Sequence, residues 1–475
     1  MKSPYALTLD MQRQAWEGAA EIAEKVRETP DRTETFHGVE VGETPSSVVY
    51  EENKLRLLHY ESQTESQHDV PILIVYALIN RPYILDLQPD RSVVKTLLEE
   101  GFDVYLIDWG EPSALDRSLT LEDYVTRYID NCVDVVCERS SQESINVLGY
   151  CMGGTMSAMY AALFPEKVRN LGLMAAGLCF TGEGGVLELW GAEEFYDPER
   201  VTDTYGNVPA DFLDVGFALM DPVANNVTKY VRFYDNLEDE DFVENFARME
   251  RWLGDGIDVA GATYDQFIRD IYQGNKLVEN DLYLNGTHVD IENIEMPVLQ
   301  IVAEYDHLIP PGASKPFNEA IPSEDTTILE FATGHIGMSV SSRSHAELWP
   351  DVCAWFEARS NGEGEDEAEG DTDTDTAASE AETAPEVGDE PESESDGESE
   401  PVPDAALAED VAGDETGVDD LTDLDGVGDA YAKVLEEAGI TTFEALASAD
   451  LEALADETAI SATYLENWAE QAAEK

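Results

Sequence analysis

Gly149-Tyr150-Cys151-Met152-Gly153 sets a thiol between two glycines where the apolar run "INVLGY" meets the helix-like "MGGTMSAMY". In the pattern G-x-S-x-G the nucleophile occupies a strained turn between a strand and a helix, which pushes its side chain into the site. Here sulfur stands where oxygen would, and a Cβ at either flanking position would collide with the adjacent strand and helix. A thiol nucleophile needs a base to form thiolate, and the base needs a third group to orient it. "IVAEYDHLIPP" places Asp306 just past an apolar strand, and "FATGHIGM" places His335 in a glycine-containing loop after the strand "TTILEFA". The order nucleophile, acid, histidine is the one this type of turn uses. Each residue alone has a plainer reading: a cysteine in a core, an aspartate capping a helix, a histidine packed in a loop. It is the three together, in order and at strand ends, that make a triad of Cys151, Asp306 and His335.

His307 competes with His335 as base because it adjoins Asp306. Consecutive residues on an extended segment point opposite ways, so His307 is expected to miss Cys151. His345, beside a helix start, is expected to be structural. An oxyanion hole needs two backbone donors: the N–H of Met152, directly after the nucleophile, and one from the loop "ALINRPYILDL", assigned to Leu78 or a close neighbour. Asn80, Arg81 and Tyr83 on that loop either shape the pocket or touch substrate. Nothing in the pattern calls for a cofactor. Cys132, Cys137, Cys151, Cys179 and Cys353 have neither pairing nor metal-ligand spacing, which indicates free thiols in a reducing compartment.

These residues need a scaffold, and the chain supplies its pattern. "PILIVYALI" (71–79), "DVYLIDW" (103–109), "INVLGY" (145–150), "LGLMAAG" (171–177) and "PVLQIVAEYD" (297–306) are apolar strands, with helical stretches such as "SVVKTLLEEG" and "LEDYVTRYIDNCVDVVCERS" between them. Near-continuous apolar strands alternating with helices predict a mostly parallel sheet covered on both faces. With the turn at Cys151 this is an α/β fold of the α/β-hydrolase class, spanning 1–360. Residues 178–295, rich in aromatics and helical segments, are expected to be a cap inserted over the site. Residues 361–412 are acidic, with no aromatic and no base, and are expected to be a disordered linker because they cannot bury enough apolar surface to offset their ordering entropy. Residues 413–475 recover helical periodicity as a helix-hairpin-helix-like module turning at Gly426-Val427-Gly428. With Lys433 its only base before the last residue, docking or structure is expected of it rather than DNA binding.

The 475 residues carry 102 Asp and Glu against 27 Lys and Arg, a net charge of −75. The imbalance is not a tail effect, since residues 1–360 keep 64 acidic against 25 basic. An acidic surface over an ordinary apolar core suits a high-salt cytoplasm, where the Debye length falls to ~3 Å. Binding to bare nucleic acid is excluded on the same ground. No stretch approaches the ~20 apolar residues of a membrane span, and the start of the chain looks like an amphipathic helix rather than a signal core. The chain is read as cytoplasmic.

Taken together, "YALINRPYILDLQPDRSVV", "YLIDWGEP", "GYCMGG", "DHLIPP" and "TGHIGM" resemble the catalytic subunit of class III polyhydroxyalkanoate synthases, in particular their haloarchaeal branch, over about residues 5–358. The resemblance implies a polymerase of 3-hydroxyacyl-CoA thioesters that releases CoA and works with a second synthase subunit at the surface of polyester granules. It implies that Cys151 is the nucleophile, Asp306 the acid and His335 the general base. The acidic linker and terminal module lie outside that family's usual length, and self-association of the chain is compatible with it. A cysteine-dependent hydrolase or thioesterase shares the G-x-C-x-G corner, but the long cap and "NRPYILDL" count against a small enzyme of that kind.

Overall fold

The computed structural model describes residues 38–182, 185–220, 229–236 and 240–360, with scattered positions between 435 and 472. The amphipathic start of the chain, the acidic segment 361–412 and the turn at Gly426-Val427-Gly428 lie outside the described residues.

An eight-stranded sheet organises the larger unit. Its strands are β1 (Ser46–Glu52), β2 (Leu55–Tyr60), β3 (Ile72–Val75), β6 (Val104–Asp108), β7 (Ile145–Tyr150), β8 (Val168–Met174), β11 (Val298–Ala303) and β12 (Thr326–Phe331). They lie in the order β1-β2-β6-β3-β7-β8-β11-β12. From β6 to β12 every pairing is parallel, while β1–β2 and β2–β6 are antiparallel. The chain is therefore an α/β-hydrolase fold. Strands β3, β6, β7 and β11 are buried at every position, which is why their sequences are mainly apolar; the buried polar exceptions are paired, Asp108 of β6 with Arg56, Asn146 of β7 with Ser360 and Gln300 of β11 with Asn318. The edge strand β12 alternates exposed and half-buried residues. The hairpin β1–β2, turned at Asn53 with φ of 54°, escapes a search for apolar runs because β1 is mostly exposed. A small hairpin, β4 (Asp86–Gln88) with β5 (Arg91–Ser92), follows β3, and another, β9 (Tyr283–Leu284) with β10 (Thr287–His288), precedes β11.

Helices cover the sheet: α1 (Val93–Glu99), α2 (Asp130–Ser140) and α3 (Met152–Leu163). The Ser92 hydroxyl caps α1 by accepting from the Lys95 N–H. The helix expected over "LEDYVTRYIDNCVDVVCERS" begins as π-helical turns, Asp123–Ile129, and continues as α2. Helix α3 is buried on nearly all sides, so its sequence carries no polar stripe. Between β8 and β11 come α4 (Gly185–Gly191), α5 (Pro198–Tyr205), α6 (Ala210–Ala218), α7 (Lys229–Asp235), α8 (Glu240–Leu253) and α9 (Gly261–Gln266), the last running into π-helical turns Phe267–Gln273. After β11 come α10 (Phe317–Ala320), α11 (Gly337–Val340) and α12 (Trp349–Ser360). Among the described residues no helix is long and apolar enough to cross a membrane.

Glu409–Lys475 form a second unit. Its described part includes α13 (Phe443–Ala447), and Leu435, Leu446, Leu454 and Trp468 are buried.

Candidate active site

The parallel register brings the site together at one end of the sheet. Val75 pairs with Gly149 and Tyr150 with Met174, so the chain leaves β3, β7 and β8 at neighbouring levels. Ala303 pairs with Phe331, so Asp306 and His335 emerge side by side from β11 and β12. Loops beyond the carboxyl ends of parallel strands are where such sheets place their ligands.

Cys151 has φ of 55° and ψ of −123°, a conformation that side chains with a Cβ rarely adopt. Two neighbours explain why the chain accepts it. A Cβ on Gly153 would lie 2.0 Å from the Val75 carbonyl oxygen, and one on Gly149 would lie 2.5 Å from both Gly154 Cα and Ser157 Oγ. Helix α3 is therefore pressed against the end of β3, and only an abrupt turn joins β7 to it. The strain is held by three backbone bonds: Cys151 N–H donates to Met174 O at 2.9 Å, while the N–H groups of Gly154 and Thr155 donate to Cys151 O at 2.9 and 3.2 Å. The N–H of Met152, in the first turn of α3, has no intrahelical carbonyl to reach. Gly153→Ala is expected to cost about 3 kcal/mol or more, because the obstacle is backbone and cannot rotate away; denaturant unfolding at fixed salt measures it.

His335 and Asp306 are both buried, at 3% exposure each. Asp306 Oδ2 accepts from His335 Nδ1 at 2.7 Å, and Asp306 Oδ1 accepts from the N–H groups of Leu308 and Ile309 at 2.9 and 2.8 Å. With Nδ1 committed to the carboxylate, the other ring nitrogen is left for Cys151, which lies close enough to act on the ring. Burial pushes the imidazole down, but the Asp306 carboxylate and then Cys151 outweigh it, and the ring is held well above its usual range. The structure thus brings Cys151, His335 and Asp306 into one chain of contacts. His307 is exposed, whereas Asp306 beside it is buried. His345 is tied to Ser339 O at 2.8 Å and to Thr96 Oγ1 at 3.2 Å, outside this chain.

The loop after β3 carries Leu78, which is buried, and Asn80, with φ of 63°. Its course is pinned from helix α8, where Trp252 Nε1 donates to Arg81 O at 2.9 Å, and Tyr83 Oη donates to Asp255 at 3.3 Å. Arg81 pairs with Glu111 and Asp255 at 3.3 and 3.7 Å, so its charge is already engaged.

Three tyrosines at the site have no sequence signal of their own. Tyr150 donates to His335 O at 3.2 Å with its ring 5.3 Å from the imidazole. Burial pushes the phenols of Tyr76 and Tyr272 up, and the nearby Cys151 adds to both, with Asp306 adding to Tyr272. Tyr150 sits inside the cysteine motif and could have been suspected from it. Tyr272 comes from the π-helical turns beyond α9, where its ring packs 4.4 Å from Phe180, and nothing local marks it. Among the described residues no cluster of His, Cys, Asp or Glu has a metal-binding arrangement.

Comparison with known proteins bears on this geometry. Residues 70–341 match the model for the alpha/beta hydrolase fold, 17–97 that for the poly-beta-hydroxybutyrate polymerase (PhaC) N-terminus, and 418–474 that for a SAM-like helix-hairpin-helix tandem. The poly(3-hydroxyalkanoate) polymerase subunit PhaC of Haloferax mediterranei is 59% identical over 100% of this chain and 99% of its own length. That of Haloarcula marismortui is 56% identical over 99% and 98%. The corresponding subunit of a Synechocystis strain is 42% identical, covering 71% of this chain and 94% of its own.

Proposed function

We propose a mechanism from the premise that this chain belongs to the poly(3-hydroxyalkanoate) polymerase subunit PhaC family, enzymes that are acyltransferases: Cys151 carries the acyl group between 3-hydroxyacyl-CoA and the growing polyester. The observation that carries the proposal is the contact chain from Cys151 through His335 to Asp306, with a 2.7 Å bond at its end. His335 takes the Cys151 proton, and the thiolate attacks the thioester carbonyl. The oxyanion is received by the N–H of Met152 and a second from Leu78 or its neighbour. CoA leaves as thiolate and collects the proton held on His335. Exchange of one thioester for another is nearly isoenergetic, so the acyl group is held without a deep sink.

A 3-hydroxyl then gives its proton to His335 and attacks the acyl carbon, so that an oxygen ester forms as the carbon–sulfur bond to Cys151 breaks. Water must be kept from doing the same, and the helices between β8 and β11 are assigned that task. A second synthase subunit and the polyester granule surface belong to the same reading, as does a cytoplasmic location. Purified protein in concentrated KCl, given 3-hydroxybutyryl-CoA with and without the second subunit, tests it by following CoA release and polymer together. CoA release without polymer in both arms would establish a thioesterase instead.

Asp306→Asn separates two roles for the carboxylate. Because Asp306 is what lifts the His335 ring against its burial, the variant's imidazole is expected to titrate below that of the wild type, as read by NMR. The sign for stability follows. A raised folded-state value makes a contribution that is complete below about pH 6.5, the unfolded value, and that fades as pH climbs through the folded one. The wild type's advantage over the variant should therefore shrink toward high pH. If Asp306 also acts on the incoming hydroxyl, the variant still acylates Cys151 but fails to extend the chain, which trapping the acyl-enzyme reveals.

A further inference from the structure

Away from the triad, the side chain of Arg91 in β5 is almost wholly enclosed. It is 6% exposed, and its Nε and Nη1 have no hydrogen-bond partner. Among the described residues its one carboxylate in ion-pair range is Asp90, at 4.0 Å from Nε and itself mostly in solvent, too far for a hydrogen bond. Two other enclosed side chains on elements packed around the β4–β5 hairpin are in the same condition. Asn245 in α8, 1% exposed, has neither Nδ2 nor Oδ1 bonded, and Ser339 in α11, fully buried, has an unbonded hydroxyl.

Their neighbourhood can be traced through what each group feels. Asp241 and Arg248, which lie about one helical turn either side of Asn245, both act electrostatically on Arg91. Arg248 also reaches the hairpin, donating to Gln88 Oε1 at 3.1 Å. Helix α11 packs on β5, and the ring of His345, bonded to Ser339 O, feels the Arg91 charge. Burial outweighs the two aspartates and holds the guanidinium below its usual range, so the protein's own carboxylates do not compensate the charge. Buried charges and amides without partners are uncommon in folded proteins, and three on elements that meet at one hairpin ask for a ligand rather than a coincidence.

We infer that Arg91, Asn245 and Ser339 form a buried site for a small inorganic anion of the halide class. The guanidinium supplies charge and two N–H donors, Asn245 and Ser339 one donor each, and the Asn245 carbonyl can turn to accept from Arg91. A protein whose composition suits a high-salt habitat works amid abundant halide, although its own acidic surface attracts cations. Binding there links stability to halide in a way that screening of surface charge does not. It rests on no part of the proposed catalytic mechanism.

The experiment is unfolding of the full-length chain at constant potassium and ionic strength, with chloride replaced stepwise by gluconate, alongside crystals grown in bromide. A wild-type unfolding equilibrium that shifts about a hundredfold when chloride reaches a hundred times its Kd, with anomalous bromide density between Arg91 and Asn245, is the expected result. Asn245→Asp places a carboxylate where the anion sits. It should fold at low chloride and lose the halide-specific shift, while retaining the wild type's response to total ionic strength. Arg91→Met should lose the same shift if it folds. Equal halide dependence in wild type and Asn245→Asp overturns the site. So does bromide density absent from it, with water or a carboxylate of the chain in its place.

Discussion

Cys151→Ala should release CoA from 3-hydroxybutyryl-CoA at least about 10⁴-fold more slowly than the wild type, the scale of loss when a covalent nucleophile is removed. A polymerase that holds its chain on sulfur has no alternative carrier among its other thiols. Burial pushes the thiols of Cys179 and Cys353 up to about 12 and that of Cys132 higher still. Near neutral pH a thiol at that value is thiolate in about one molecule in 10⁵. Cys137 is half-buried and raised by burial and then by Asp134, and it bonds weakly to Glu143 O, just past the end of α2. Replacing any of these four by Ala or Ser should leave turnover within a few fold. Mass spectrometry of protein quenched during turnover should find the acyl adduct on the peptide containing Cys151 and lose it in the variant. An alanine variant that still makes polymer at the wild-type rate would remove the covalent mechanism altogether.

His335→Ala should lower turnover by about 10²–10⁴-fold, the usual contribution of a positioned general base. The matching control is His307→Ala, which should stay within about twofold because that ring is exposed whereas the dyad is buried. The loss in His335→Ala should shrink as pH rises, since hydroxide increasingly deprotonates Cys151 without a base, whereas a variant that merely misfolds would stay inactive at every pH. Circular dichroism in the assay salt separates the two outcomes. If His307→Ala is the more damaging of the pair, the base has been misassigned even though the fold stands.

Much of this was legible in the residues themselves. Cysteine between glycines, followed far downstream by Asp306 and then His335, carries chemical information because each residue type has few roles at a strand end. The buried strands announce themselves as mainly apolar runs, since a parallel sheet covered on both faces admits a polar residue only where a partner is buried with it, as at Asn146, Asn170 and Gln300. Net charge is a sum over residues, and the halophilic composition follows from counting.

What tertiary structure decided is whatever depends on pairing across the chain. That β7 lies between β3 and β8, and β11 beside β8, is written in no local pattern, and only that order puts Cys151 next to the dyad and the Leu78 loop next to α3. The positive φ of Cys151 follows from the Val75 carbonyl lying where a side chain at Gly153 would need to be. Asp306 rather than its neighbour faces inward because the backbone N–H groups of Leu308 and Ile309 turn onto its carboxylate. Tyr272 reaches the site from the helices after β8, and Arg91, Asn245 and Ser339 are gathered from β5, α8 and α11. Periodicity tells which face of an element is buried, but the partner it is buried against is set by packing between segments distant in sequence, where the local code is silent.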